Sequence, residues 1–395
     1  MRSSDGETRD LVTSRPGAGW DFALTRHPFH EHEKPLGPHY CVYNRRLMAV
    51  YFDERNPEDG YWTFRQNVGL QHTGEYVLQF KGPDAERLLN KLFTRDITKL
   101  KNNRCGYGLA CFEDGGMLID GILIRLDADT FWYVQADGDF YGWARAHAIG
   151  LDVEISDPDI FVSQIQGPKS LEFLKAASQD GLPENFTYYA AAYVELGGQT
   201  FLITRTGFTN ELGWEIYTEP HHDADALSEH LKKHGEPFNL DMVPVDASNP
   251  RRIEAGILNA GSDFNQTTTP YDVGLGHFVD DSKEDFLGKT ALENAAKEPR
   301  LFGLQCPSGE MVISGEVRHG ETRVGLITAA AISPYLGRSI GYVLLDEPGI
   351  RHGTTVQVGC RDGTFHDGEL VDLPFYDKDR FIPRGQLVDI PTRPL

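Results

Sequence analysis

A carboxylate set in the middle of an apolar strand constrains this chain more than any other feature. Residues 104–126 read RCGYGLACFEDGGMLIDGILIRL, in which Glu113, Asp114, Gly115 and Gly116 mark a turn between two apolar runs. The second run, Met117-Leu118-Ile119 and Ile122-Leu123-Ile124, reads as a buried strand, yet Asp120 and Gly121 occupy its centre. A carboxylate removed from water is costly unless something pairs with it, so Asp120 is a candidate for chemistry. The competing reading is a strand-edge aspartate satisfied by a nearby backbone amide.

Charge narrows the classes of function. The 395 residues carry a formal net charge of -21, and an acidic surface of that size repels phosphate backbones and anionic lipid. Nucleic-acid and membrane-surface partners are therefore not expected, although a local arginine cluster can still take a small anion. Five cysteines (Cys41, Cys105, Cys111, Cys306 and Cys360) are an odd, dispersed set without a CxxC pair. That pattern points to a reducing compartment and against a disulfide framework or a zinc knuckle. No apolar run approaches the ~18 residues of a membrane span, and the first residues lack the apolar centre of a secretory signal. A cytoplasmic location is expected.

The pattern of the chain predicts an α+β fold. Residues 1–38 are polar and punctuated by Pro16, Pro28, Pro35 and Pro38, and read as an irregular arm. His27, His30, His32 and His39 fall there at spacings that share no face, so no metal site is expected. A helix is predicted over 60–70 and a strand over 76–80. Asp84 is the expected N-cap of a helix burying Leu88, Leu89 and Leu92. The strand with Asp120 and a second one over 131–135 form a hairpin. A strand over 162–166 ends at Gly167-Pro168, ahead of a helix expected to bury Leu171, Phe173 and Leu174. Residues 205–215, RTGFTNELGWE, read as a polar loop between strands, and 223–234 as a helix. Pro250 is expected to begin another helix with Arg251, Arg252 and Glu254. Beyond residue 300, short strands with turns every ten or so residues predict a smaller all-β module. The expected division is an arm at 1–38, an α+β body of two subdomains at 39–300, and a β-barrel domain at 301–395.

Several familiar catalytic motifs are absent. No GxGxxG follows a strand and no phosphate loop occurs, so nucleotide-dependent hydride or phosphoryl transfer has no support. There is no GxSxG elbow and no HExxH helix. His221-His222 adjoin a helix start, where capping accounts for them better than ligation.

An ordered set of motifs carries a resemblance. It runs through Gly82-Pro83-Asp84-Ala85, Thr94-Arg95-Asp96, Tyr107, Asp114-Gly115-Gly116 and Asp120, then Gln166-Gly167-Pro168-Lys169. Arg205-Thr206-Gly207-Phe208-Thr209 with Glu211, Gly213 and Glu215 comes next. The set closes with Arg252-Ile253-Glu254-Ala255-Gly256, Asp285-Phe286-Leu287-Gly288-Lys289 and Ser333-Pro334-Tyr335-Leu336. Together these resemble the aminomethyltransferase (glycine-cleavage T-protein) family of tetrahydrofolate-dependent one-carbon transferases. The branch most similar in detail is that of the dimethylsulfoniopropionate demethylase-like proteins. Tyr43-Asn44, Arg104-Cys105, Met117-Leu118 and Gly261-Ser262-Asp263-Phe264 point that way.

The resemblance implies three subdomains, two of them forming a ring around folate and the third a C-terminal barrel. It implies tetrahydrofolate as cofactor, with Asp120 near its N5 and Tyr107 beside the pterin as the catalytic pair. Glu211 would bind the pterin ring, and Gln135 stands where the family uses an asparagine. Glu215 and Arg252 complete the expected cofactor-binding set, against structural readings in which Glu215 satisfies the backbone of its own loop and Arg252 pairs with Glu254 or a neighbouring acid. Trp62, Trp132 and Trp214 read as core. Ile119 replaces the first of two adjacent aspartates. Two departures bear on the substrate: Ser248-Asn249 replaces an Arg-Asp pair, and Glu211 is a carboxylate that the sulfonium demethylases lack at this position, so the chain mixes features of both branches.

The function so implied is methyl transfer from a small methylated donor, a sulfonium such as dimethylsulfoniopropionate or a methylated amine, to N5 of tetrahydrofolate. The alternatives are O-demethylation of methoxy-aromatic acids, glycine-cleavage aminomethyl transfer and a non-catalytic folate-binding protein. A homodimer is the assembly considered.

Overall fold

Two compact units make up the chain in the computed structural model, which describes residues 24–394. The first takes the described residues up to Val77, together with Asp157–Ser248 and Phe381–Arg393; the second takes Leu78–Ser156 and Asn249–Arg380, with Pro394. The linear division at residues 38 and 300 does not mark these units, because each is assembled from segments far apart in the chain. Of the expected arm, residues 1–23 lie outside the described residues. The remainder is not wholly irregular: Thr25–Arg26 pairs in parallel with Arg46 and Leu47, and His30–Glu33 is one helical turn.

The first unit is built on a six-stranded sheet. Its order is Ala191–Leu196, Gln199–Thr204, Gly213–Thr218, Phe161–Gln166, Val68–His72 and Leu240–Met242, antiparallel except for the last pair. Val68, Leu70, Ile165, Trp214 and Ile216 from the strands pack with Phe173 and Leu174 of helix Ser170–Ala177 and with Leu227 and Leu231 of helix Ala224–Gly235. Asp223 caps the latter helix by accepting from the Ala226 amide at 3.0 Å. Helix Pro57–Gln66 starts on the Asn56 side chain, which accepts from Glu58 N, with Pro57 at its first position.

The second unit combines a five-stranded sheet with a closed barrel. The sheet order is Arg104–Cys111, Met117–Arg125, Thr130–Gln135, Tyr76–Lys81 and Glu154–Ser156. The barrel runs Leu301–Cys306, Arg338–Leu345, Thr322–Ser333, Glu316–His319, Thr355–Gly359 and Phe365–Val371. Alternation along its strands buries Leu304, Cys306, Val343, Leu345, Val356 and Val358 inside. The α+β class and the C-terminal barrel are both as expected.

Several local expectations need correction. Asp84 is the N-cap residue of helix Ala85–Leu92, as expected, but its side chain makes no capping bond; its Oδ2 accepts from the Asp152 amide at 2.8 Å, tying the neighbouring loop instead. Pro250 does not begin a helix but lies inside Val245–Glu254. That helix ends at Gly256, whose φ of 68° closes the end with Gly256 N to Ile253 O and Ile257 N to Arg252 O, both 3.0 Å. Glu215 lies on strand Gly213–Thr218, not in the polar loop.

Candidate functional site

In the second unit, Asp120 sits on strand Met117–Arg125 opposite Leu109, and Tyr107 is the diagonal neighbour on the same face. That register lets the Tyr107 hydroxyl donate to Asp120 Oδ2 at 2.7 Å. Burial raises the Asp120 carboxyl to about 6; the charge of Asp263 pushes the same way, while the Tyr107 bond opposes it. Gly121 belongs to this arrangement, because a Cβ there would run into the Val134 carbonyl and meet Gln135 Cα at 3.0 Å on the adjacent strand. The Tyr107 ring lies against Phe278, centroids 4.4 Å apart. Asp120 is therefore held by a phenol, with a backbone hydrogen bond from its own residue beside it.

The other expected residues of this unit have definite partners. Gln135 is buried and donates from Nε2 to Gly138 O at 2.6 Å and Ala136 O at 3.2 Å, closing the turn after its strand. Arg252 pairs with a neighbouring acid, as one structural reading expected, but the acid is Asp263 and not Glu254. Arg252 Nη1 donates to Asp263 Oδ2 at 2.8 Å and Ile257 O at 3.1 Å, and its Nε to Asn249 Oδ1 at 2.9 Å. Residues two apart on a helix point to different sides, which is why Glu254 goes elsewhere. Glu254 accepts from Ser333 Oγ at 2.6 Å, Tyr376 Oη at 3.2 Å and Arg251 Nη1 at 3.4 Å. The Tyr342 hydroxyl reaches Ile257 O, Arg252 O and Ile253 O at 3.1 Å, so a barrel strand covers the helix end.

Asp263, whose charge acts on Asp120, is a residue that the sequence reading did not single out beyond its motif. It is fully buried, takes the Asn259 amide at 2.8 Å besides Arg252, and its Oδ1 has no hydrogen-bond partner among the described residues. The signal was present in the spacing: Arg252 and Asp263 flank a helix-ending glycine and a tight turn.

In the first unit, loop 205–212 wraps the buried Gln166 amide. Thr209 Oγ1 donates to Gln166 Oε1 at 2.8 Å, and Gln166 Nε2 donates to Thr206 O at 3.2 Å. Glu211, at the end of that loop, accepts from Arg65 Nη1, and both side chains are fully buried. Arg65 Nη2 donates to Asp389 Oδ2 at 3.0 Å. Glu215 does not merely satisfy a loop. It accepts from Thr206 Oγ1 at 2.5 Å, Tyr217 Oη at 3.3 Å and Thr204 Oγ1 at 3.4 Å. Burial, helped by the charge of Glu75, raises its carboxyl to about 7. Arg65 and Asp389 were not legible as site residues, since nothing local in the sequence marks either.

Elsewhere, His222 has both ring nitrogens engaged, Nδ1 with the Glu219 amide at 2.9 Å and Nε2 with Thr200 O at 3.0 Å. The group Glu219, His221 and His222 is thus a hydrogen-bonded turn. Trp62, Trp132 and Trp214 are all buried. No helix among the described residues is long and apolar enough to cross a membrane.

Comparison with known proteins follows the same lines. Residues 29–283 match the family described as the GCVT N-terminal domain, and residues 300–377 the glycine cleavage T-protein C-terminal barrel domain. An aminomethyltransferase of Corynebacterium aurimucosum is 31% identical over 370 residues, covering 89% of this chain and 98% of its own. A dimethylsulfoniopropionate demethylase of Ruegeria pomeroyi is 29% identical over 336 residues, covering 82% and 90%. The crystal structure of the glycine cleavage system aminomethyltransferase T from Bartonella henselae superposes with a TM-score of 0.81 at 24% identity. It covers 90% of this chain and 99% of that one, a likeness of fold.

Proposed function

The chain belongs to the glycine-cleavage T-protein family, and from that premise we propose that it moves a methyl group from a small methylated donor to N5 of tetrahydrofolate. The observation that carries the reading is the Asp120–Tyr107 pair, a carboxylate held by a phenol at 2.7 Å with its pKa raised to about 6. Family membership supplies the cofactor. The residues present suit it, since the Asp120 carboxylate places negative charge where positive charge is to appear. Tetrahydrofolate, when bound, supplies the N5 lone pair that accepts the one-carbon unit. Asp120 then stabilises the charge that develops beside it, and a carboxyl with a pKa near neutrality is suited to take up a proton. Tyr107 fixes the orientation of that carboxylate. Glu211 is the proposed acceptor for the N–H groups of the pterin, because an ionised carboxylate can bind two donors at once. Glu215, Gln135 and Arg252 are proposed as supporting cofactor-site residues.

A sulfonium or quaternary ammonium donor fits best, because its positive charge suits an acidic site and its leaving group is neutral. An ether donor would need an acid to protonate the departing oxygen. The second reading is aminomethyl transfer, favoured by the name and the near full-length match of the Corynebacterium relative. A donor panel with tetrahydrofolate, read by mass spectrometry, separates the two. It should hold dimethylsulfoniopropionate, glycine betaine, dimethylglycine and methoxy-aromatic acids, with an aminomethyl-loaded lipoyl carrier as the rival. 5-Methyltetrahydrofolate from an onium donor is the expected product. Methylenetetrahydrofolate from the carrier alone would replace our reading with the second, and tight folate binding without turnover would remove the enzyme reading.

A further inference from the structure

The C-terminal segment Phe381–Arg393 belongs to the first unit and lies past residue 377, where the match to the barrel family ends. It buries Ile382 and also makes polar contacts. Gln66 Nε2 donates to Pro391 O at 2.9 Å, Arg393 Nη1 to Asp59 Oδ1 at 2.6 Å, and Arg205 Nη2 to Pro383 O at 3.4 Å. The apolar side chains Leu387, Val388 and Ile390 are exposed by 46%, 65% and 50%, so the segment is not laid down to bury them. Asp389, between two of them, turns inward to Nη2 of the fully buried Arg65, whose Nη1 serves Glu211.

We propose that Asp389 and Arg65 are positioning residues for Glu211, which makes the C-terminal segment a working part of the folate-binding apparatus. The inference rests on Glu211 binding the pterin, as proposed above. A guanidinium facing a single carboxylate tends to engage it through both nitrogens, and the carboxylate is then neutralised and turned toward it. Asp389 draws one edge of Arg65 to itself. The guanidinium is thus shared between two carboxylates, so Glu211 keeps acceptor strength for incoming N–H donors. Without the Asp389 charge, Arg65 is released to fork onto Glu211 and compete with the ligand.

The test is tetrahydrofolate binding to the full chain by calorimetry under anaerobic conditions, with steady-state kinetics on the preferred donor. Asp389→Asn should weaken folate binding roughly tenfold, about what one charge-assisted hydrogen bond provides. The KM for folate should rise in step, with kcat at saturating folate and the melting temperature unchanged. Asp389→Glu should restore binding to within about threefold of wild type. In a Glu211→Gln background, Asp389→Asn should add no further loss. Wild-type affinity in Asp389→Asn overturns the inference, as does an equal loss in Asn and Glu variants with a lowered melting temperature, which marks a structural anchor. If Asp389→Asn does not fold, Asp389→Glu carries the test, and a tenfold loss there overturns the inference. A wild-type chain that does not bind folate instead removes the functional reading, and this inference with it.

Discussion

Asp120 and Glu215 are carboxyls whose pKa values burial raises, and the sign of that shift has consequences. Folding holds the proton more tightly than the unfolded chain does. The associated stability is fully present below the ordinary carboxylate range and is lost as pH rises through about 6 for Asp120 and about 7 for Glu215. Glu215→Gln should therefore melt above wild type at pH 8, by roughly 2 kcal/mol in stability, with the gap shrinking toward pH 4. Scanning calorimetry across pH checks this; a gap that does not narrow on acidification would contradict it. For activity the sign is opposite, because catalysis calls for the ionised Asp120. Turnover should climb as pH rises through about 6, and Asp120→Asn should lower kcat by roughly 10²–10³ and abolish that limb. The candidate role of Asp120 was legible in the sequence, since a charged residue at the centre of an apolar strand demands a reason. The identity of its partner was not, because Tyr107 and Asp120 meet only through the register of two strands.

Among the elements, the hairpin around Asp120 shows what close strand approach requires. Gly121 faces the Val134 carbonyl so closely that a methyl group cannot enter without separating the strands. Gly121→Ala is expected to destabilise the second unit by roughly 1–3 kcal/mol, seen as a lower denaturant midpoint, and to weaken activity by displacing Asp120. Hydrophobic periodicity located this hairpin, helices Ser170–Ala177 and Ala224–Gly235 and most barrel strands, because each has a face that must be buried, but it ran the helix Pro57–Gln66 on to residue 70, into strand Val68–His72. It misplaced the start of helix Val245–Glu254, where Pro250 was read as a beginning. A proline in a helix interior is disfavoured, but Asn249, Arg252 and Tyr342 bind the last turn and hold it in place. Arg252 and Glu254 could have been separated from sequence alone, since positions two apart do not share a helical face.

For the whole molecule, a net charge of -21 sets the response to salt. Self-repulsion of an acidic surface is screened within about 10 Å at 0.1 M ionic strength, so moving from low salt to about 0.5 M sodium chloride should raise the melting temperature. A fall in melting temperature would show that surface ion pairs such as Lys99–Asp280 and Arg393–Asp59 outweigh the repulsion. The two compact units draw on interleaved segments. Linear boundaries at 38 and 300 could not express that, because composition changes along the chain whereas compactness depends on which distant segments pack together.

The sequence by itself determined the α+β class, the terminal barrel, the family and the suspicion that fell on Asp120, Tyr107 and Glu211. These follow from patterns local to a strand, a helix or a motif. Tertiary structure alone decided who pairs with whom. Arg252 takes Asp263, Glu254 takes Ser333, and Arg65 joins Glu211 to Asp389, the last partner 324 positions away. A buried charge must be met by an opposite charge or a hydrogen bond, and which group meets it is settled only when remote segments come together.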